Sequence, residues 1–349
     1  MADRKVTMKD VASAARVSTA TVGRVLHSRG YVSPEAKERV NAAIKGTGFR
    51  LNLVAQSLRR SRSMTLGLLL TTIVPNPFFP GIELGIEQEA MQHDYNVLIW
   101  NALSDSVRER QGVEIFIRRQ MDAIIFATPQ DPQNVLLAKQ AGIPVIQVER
   151  PTHINTHRVL VDNYVGAVSA MEHLIQLGHR RIAFIGTNAS LPSPKNEVDN
   201  QRLAGYRDTL IRHGITPLEE WIATGDLYSI EDGYRRMQQF LELKPGITAV
   251  LVGCDIMASG VLQAIYQNNL RVPEDISVIG FDDTYAQFLA PPLTSVQQPV
   301  FDIGVSAARL AIEVLGNDVE SPDGYQTIHL KTSLKIRSST GVPKRYYAD

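Results

Sequence analysis

The sequence predicts an N-terminal all-α helix-turn-helix headpiece joined to an α/β body of two doubly wound parallel-sheet lobes. Three observations carry this. Short, well-capped helical segments fill the first 50 residues. From Leu66 onward, short apolar strands alternate with amphipathic helices, the βαβ signal of a parallel sheet. That alternation then runs through the chain a second time. A length of 349 residues exceeds what a single core fills, and 44% hydrophobic with 21% charged residues is the composition of a globular chain.

In the headpiece, Thr7-Met8-Lys9-Asp10 starts a helix, with Thr7 as cap and Asp10 three residues on, and the helix runs to about Ala15. Ser18 caps a second helix over Thr19–Leu26, so about three residues join the two. Ala12, Val17, Val22 and Val25 or Leu26 form the inner face, leaving Thr19, Ala20, Gly23, Arg24 and His27 outward. Ser33-Pro34-Glu35 opens a third helix, with a cap, a proline at its first position and an acid in its first turn; Gly46-Thr47-Gly48 closes it. Asn52 caps a short helix through Leu58-Arg59-Arg60, and Ser61-Arg62-Ser63 reads as a linker.

In the body, strands are expected at 66–70, 97–100, 123–127 and 145–148, with helices at about 79–93, at 104–120 and before Gly142. The second pass gives strands at 182–186, 249–252 and 278–281, with helices at about 200–213 and 230–243 and another ending near Asn269. By texture, 66–70 pairs with 182–186, 123–127 with 249–252, and 143–146 with 276–279. Continuous apolar strands of this kind are buried on both faces.

Charge separates the two parts. The numbers of acidic and basic residues are equal overall, at 36 each, yet residues 1–62 hold 13 basic and 4 acidic side chains, leaving +9 there and −9 on the rest. A basic module on an acidic body is the footprint of a nucleic-acid binder; a solvated or membrane-surface patch is the alternative. On the second helix, Arg24 offers a rigid fork to guanine edges, and Thr19 and Ala20 allow close approach and contact with thymine methyls. Ser18 and Thr21 suit phosphate contacts. Leu58, apolar among basic residues, has the makeup of a minor-groove wedge, against which stands the reading of a plain linker.

Residues 6–12 (VTMKDVA), 17–26 (VSTATVGRVL) and 52–58 (NLVAQSL) resemble the DNA-binding headpiece and hinge helix of the LacI/GalR repressor family. The resemblance implies that Thr19, Ala20 and Arg24 read bases and that Leu58 intercalates. Arg16 stands where the family has a turn glycine, Gly23 where it has serine, His27 where it has asparagine, and Leu51 where it has proline. The full expected DNA-contact set is Thr7, Ser18, Thr19, Ala20, Thr21, Arg24, His27, Asn52, Ala55, Leu58 and Arg59. The body's order matches the family's effector domain, which is like periplasmic binding proteins. This implies chain crossings between lobes near Val161, Pro291 and Asp323. The expected domains are a headpiece at 1–50, a hinge helix and linker at 51–63, and an effector-binding and dimerisation domain at 64–349. Within that domain, lobe 1 takes 64–161 and 292–323, and lobe 2 takes 162–290 and 324–340.

Ligands of open α/β sheets bind at the carboxyl ends of strands. Asn76, Phe78 and Phe79 follow the first strand. Phe79 offers a flat apolar face to a ring, or staples the helix start. Arg150 follows the strand ending at Val148, and Asp162 opens the second lobe with helix capping as its alternative role. Arg202, in Arg202-Leu203-Ala204-Gly205-Tyr206, resembles the family's effector-gripping arginine; Asp282 matches its acidic contact, and Cys254 stands where asparagine is common. Leu227 sits where relatives often carry an aromatic. Two arginines in one cleft would favour an anionic ligand such as a sugar acid or phosphate.

Other chemistries find little support. The single cysteine, Cys254, excludes an internal disulfide and fits a reducing, cytoplasmic setting. No apolar run approaches the ~20 residues of a membrane span. Neither a P-loop, nor Gly-x-Gly-x-x-Gly after a strand, nor a Gly-x-Ser-x-Gly elbow is found, so no cofactor is expected. His153 and His157 bracket a loop without further ligands, so no metal is expected. The expected function is a ligand-responsive DNA-binding repressor. It is expected to act as a homodimer on a pseudopalindromic double-stranded operator, with a small-molecule effector between its lobes. The tail beyond Arg345 lacks leucine heptads, which argues against a coiled-coil tetramer while leaving other tetramers open. The rivals are a small-molecule binding protein without gene regulation and an α/β enzyme using the same cleft.

Overall fold

The computed structural model describes residues 6–26, 30–49, 62–71, 77–187, 197–225, 228–243, 246–316 and 324–344. Residues up to Ser61 form one compact unit and those from Arg62 onward another.

The first unit contains α1 (Met8–Ala15), α2 (Thr19–Leu26) and α3 (Pro34–Thr47). Asp10 fastens the start of α1 by accepting from the Thr7 backbone N–H at 2.8 Å and from its hydroxyl at 2.7 Å. At α3, the Ser33 hydroxyl accepts from the Ala36 N–H and Pro34 takes the first helical position. Val11, Ala12, Ala15, Val22, Val40 and Ala43 make the core, with Val17, Val25 and Leu26 half-buried against it. Arg16, the expected departure from glycine, ends α1 in the left-handed region at φ 53° and ψ 48°. An L-residue there costs about 1–2 kcal/mol, which is why glycine is the usual solution.

The second unit holds two six-stranded sheets. In chain order its elements begin β1 (Thr65–Leu70), α4 (Phe78–Gln92), β2 (Asn96–Asn101), α5 (Ser106–Arg118), β3 (Ala123–Ala127), α6 (Pro132–Gln140), β4 (Val145–Val148) and β5 (His157–Val161). Next come α7 (Asn163–Gln176), β6 (Ile182–Thr187), α8 (Glu197–Arg212), β7 (Ile222–Gly225), α9 (Ile230–Leu243), β8 (Ala249–Val252), α10 (Asp255–Gln267) and β9 (Ser277–Asp282). The chain closes with β10 (Thr294–Gln297), α11 (Val300–Gly316), β11 (Thr327–Leu330) and β12 (Ser333–Lys335).

The sheet of lobe 1 runs β11-β5-β4-β3-β1-β2 and that of lobe 2 runs β12-β10-β9-β8-β6-β7. All neighbours are parallel except β10 and β12. The strands paired by texture, β1 with β6, β3 with β8 and β4 with β9, hold equivalent places in the two sheets. Each sheet buries apolar side chains on both faces, as continuous Val, Ile, Leu and Phe runs require. Across lobe 1, α4 and α11 meet at Gly85 and Gly304; a Cβ on Gly304 would lie 2.1 Å from the Ile82 carbonyl oxygen. Only glycine allows helices to approach so closely.

Two of the expected lobe boundaries need correction. Thr294–Gln297 pairs in parallel with β9, so it belongs to lobe 2 and the second crossing follows Gln297 rather than lying near Pro291. Thr327–Leu330 pairs with β5, so it returns to lobe 1, and the third crossing lies between β11 and β12 instead of near Asp323. Both strands are short and half polar at the margins of the texture, so pairing rather than periodicity decides their sheet. The loop expected between His153 and His157 is present, and His157 itself begins β5. Its buried ring packs edge-on to Tyr325 with centroids 5.5 Å apart, and its Nδ1 accepts the Gln326 N–H.

Candidate functional site

The headpiece presents Thr19, Ala20 and Arg24 exposed on α2 while Val22 turns fully inward, the split that helical spacing predicts. Ser18 is exposed, and its Oγ accepts the Thr21 N–H at 3.1 Å and bonds to the Thr21 hydroxyl at 2.9 Å. This cap sets the first turn of α2. Thr7 is exposed at the start of α1, held by Asp10. His27, Asn52, Ala55, Leu58 and Arg59 lie outside the described residues.

The second site lies where the carboxyl ends of β4, β6, β8 and β9 converge. Glu149 and Arg150 follow β4 in lobe 1, and Arg202 and Asp199 stand on α8 in lobe 2. Asp282 ends β9. Arg150 reaches across to Asp199 at 3.1 Å, and its guanidinium lies 4.7 Å from the centroid of the Tyr228 ring. The Tyr228 hydroxyl donates to the other oxygen of Asp199. Arg202, 3% exposed, donates from Nε to Asn163 Oδ1 at 2.9 Å and from Nη1 to the Gly253 carbonyl. Its Nη2 lies 3.9 Å from both Glu149 and Asp282, and its guanidinium carbon lies 3.9 Å from the centroid of the Phe281 ring. Gln298 donates to Asp282 Oδ1 at 2.7 Å. The two arginines thus tie the lobes together through the carboxylates of both.

Backbone strain gathers at the same edge. Thr128, Glu149, Asp282 and Asp283 all have positive φ, at 63°, 68°, 99° and 57°. Non-glycine residues held this way cost energy and concentrate where a site demands a particular side-chain direction.

Burial raises Asp282 to about 7, against the pull of the adjacent Arg202. Glu149 is raised by burial too, with Arg202 and Arg150 opposing. Asp199 goes the other way: burial works to raise it, but Arg150 and Arg202 prevail and hold it below the ordinary carboxylate range. Burial also pushes the Cys254 thiol well up.

Of the residues expected to bind effector, the structure brings Arg150, Arg202 and Asp282 together, with Cys254 buried at the N-cap of α10 beside them. The others make different contacts. Asp162 caps α7, accepting the Val165 N–H at 2.9 Å, which is its alternative role. Phe78 is buried in the lobe 1 core, and Phe79 packs edge-on to it at 5.4 Å, the arrangement of a helix start. Asn76 and Leu227 lie outside the described residues. Asp255, at the start of α10, accepts from the Ser295 hydroxyl at 2.6 Å and the Thr284 N–H at 3.1 Å.

Glu149, Asn163, Asp199, Tyr228 and Gln298 were not legible from motifs. Glu149 alone carried a signal, as a charged residue directly after a buried strand.

Residues 7–52 match the bacterial regulatory proteins of the lacI family, and residues 171–340 match a periplasmic binding protein-like domain. The Escherichia coli repressor CytR is 35% identical over 310 residues, 88% of this chain and 89% of its own length. The ribose operon repressor of Haemophilus influenzae is 31% identical over 336 residues, 95% of this chain and 98% of its own. In structure, the lac repressor dimer bound to operator and the anti-inducer ONPF aligns with a TM-score of 0.81 at 29% identity, covering 97% of this chain and all of that one. These matches run through the headpiece and both lobes, so the chain belongs to the lacI family of bacterial regulatory proteins, as a DNA-binding, effector-regulated transcriptional repressor and not an enzyme.

Proposed function

We propose that this chain represses transcription as a homodimer on a pseudopalindromic operator and that a neutral, polyhydroxylated small molecule, a sugar or nucleoside, binds where the strand ends of the two lobes meet. One headpiece reads one half-site, so a two-fold operator calls for a two-fold protein. Thr19, Ala20 and Arg24 supply the base-reading face, while Ser18 and Thr21 supply phosphate contacts. The names of the relatives, a ribose operon repressor among them, favour a sugar-containing ligand.

The observation that carries the ligand class is the pairing inside the cleft. Among the described residues, Arg150 and Arg202 face three carboxyl groups, those of Asp199, Glu149 and Asp282. That pairing speaks against the anionic ligand that two arginines in one cleft would favour. An array rich in carboxylate and amide acceptors, held by forked donors, instead suits hydroxyl groups. Ligand binding shifts the balance of lobe angles, and with it the spacing of the segments leading to the two headpieces; ligand and operator affinities are then coupled reciprocally.

A thermal-shift screen of the full chain against pentoses, hexoses, nucleosides, sugar acids and sugar phosphates tests this reading. Stabilisation by a neutral sugar or nucleoside is the expected result. Stabilisation by sugar acids or phosphates alone would overturn it.

A further inference from the structure

We propose that Asp199 is a specificity-determining residue of the ligand cleft: its carboxylate occupies the anion position opposite Arg150, and by doing so makes the cleft reject phosphorylated and acidic ligands. The proposal rests on the effector-site reading above and names the feature that sets its ligand class.

Asp199 stands in the first turn of α8, where backbone N–H groups and the helix dipole favour negative charge. It is 1% exposed, and both of its oxygens are engaged. One accepts from Arg150 Nη1 at 3.1 Å, and the other accepts the Tyr228 hydroxyl. Tyr228 in turn stacks on the guanidinium of Arg150, so the three side chains lock one another. A forked guanidinium beside a helix N-terminus is the equipment that binds a phosphate or carboxylate group of a ligand. Here a side chain of the protein already completes that arrangement.

The surroundings reinforce the exclusion. Among the described residues, the charged groups near Arg150 and Asp199 include Glu149 beside the arginine, and Arg202 and Asp282 on the lobe 2 side. An anion arriving at Arg150 would have to displace Asp199 and leave a buried carboxylate without its cation. Removing one partner of a buried ion pair is far more costly than making the pair is favourable. A hydroxyl group asks for no such displacement, since it can donate to a carboxylate that stays paired. Discrimination of this kind comes from the penalty placed on the wrong ligand rather than from added attraction to the right one.

The test uses inorganic phosphate as probe and thermal unfolding of the full-length chain in a phosphate-free buffer, with Asp199→Asn, Arg150→Gln and the double variant as comparisons. The wild type is expected to show no saturable phosphate-dependent rise in Tm that Arg150→Gln abolishes. Asp199→Asn keeps the shape but removes the charge, so it should gain saturable phosphate binding at least about tenfold tighter than the wild type, a difference of about 1.4 kcal/mol. That gain should vanish in the double variant, which separates the cleft from phosphate binding by the basic headpiece. Circular dichroism establishes that each variant folds, and Asp199→Ser serves if the asparagine variant does not. Wild-type phosphate binding that Arg150→Gln abolishes would overturn the proposal, as would a folded Asp199 variant that gains none. Failure of neutral sugars and nucleosides to bind the wild type would instead sink the effector reading, and leaves these phosphate results separately readable.

Discussion

Arg202 holds the cleft together, and replacing it by methionine measures how far. The substitution preserves an apolar stem over Phe281 but deletes the bonds to Asn163 and Gly253 and the charge 3.9 Å from both Glu149 and Asp282. Breaking a buried pair by removing one partner costs about 3–5 kcal/mol, because the remaining charges stay buried. The pH dependence fixes the cause. Asp282 titrates at about 7 in the folded protein against an ordinary 3.8, so folding favours its protonated form. Its contribution is complete below the ordinary value and is lost as pH rises through the folded value. Without Arg202 the carboxyl is driven higher still, and Glu149, already raised by burial, moves with it. The penalty of Arg202→Met should therefore be greater at pH 8 than at pH 6, by about 1 kcal/mol or more. Urea unfolding followed by tryptophan fluorescence reads this directly, since Trp100 lies in lobe 1 and Trp221 precedes β7 in lobe 2. A loss below about 1 kcal/mol, or one equal at the two pH values, would refute the reasoning.

Three further outcomes are expected. Arg24→Ala should weaken operator binding by about 1–3 kcal/mol and relax base preference at one position of each half-site, read by binding to a set of single-base operator variants. Arg16→Gly should stabilise the headpiece by about 1 kcal/mol in thermal unfolding, because it removes an L-residue from the left-handed region at φ 53°. Asp122 accepts from Ser63 N–H at 2.7 Å, the Ser63 hydroxyl at 3.0 Å and Met64 N–H at 3.0 Å, fastening the start of the body to the near end of β3. Asp122→Ala should leave ligand affinity intact in calorimetry while shrinking the ligand-induced change in operator affinity; an unchanged coupling factor would show that this fastening transmits nothing.

Local signals made the headpiece legible. Capping residues, a proline at a first helical position and the inward spacing of Ala12, Val17 and Val22 mark the three helices without help from elsewhere in the chain. The strands β1, β3, β4, β6, β8 and β9 were equally plain, because burial on both faces forces continuous apolar runs. What stayed hidden depends on long-range pairing. Thr294–Gln297 carries no texture that assigns it to lobe 2, and β11 gains its place only from β5. In the cleft, Arg150, Arg202 and Asp282 could be located from strand ends and a resemblance. Their mutual neutralisation could not, because Asp199 and Tyr228 are ordinary helix and loop residues until the lobes meet. Asp162 caps α7 and Phe78 sits in the core of lobe 1, roles that strand-end position alone does not distinguish from ligand contact.

The central claim is that the headpiece reads a two-fold DNA sequence and that a ligand in the body changes how tightly it does so. Selection of binding sites from a random duplex library by the full-length protein tests this most directly. The selection is to be repeated with the neutral compound that most stabilises the chain. The account predicts enrichment of a pseudopalindrome whose half-sites lose their preferred base when Arg24 is replaced, together with a change in its measured affinity when the compound is added. Enrichment of no sequence, or a selected site whose affinity is indifferent to a compound shown to bind the cleft, would contradict it.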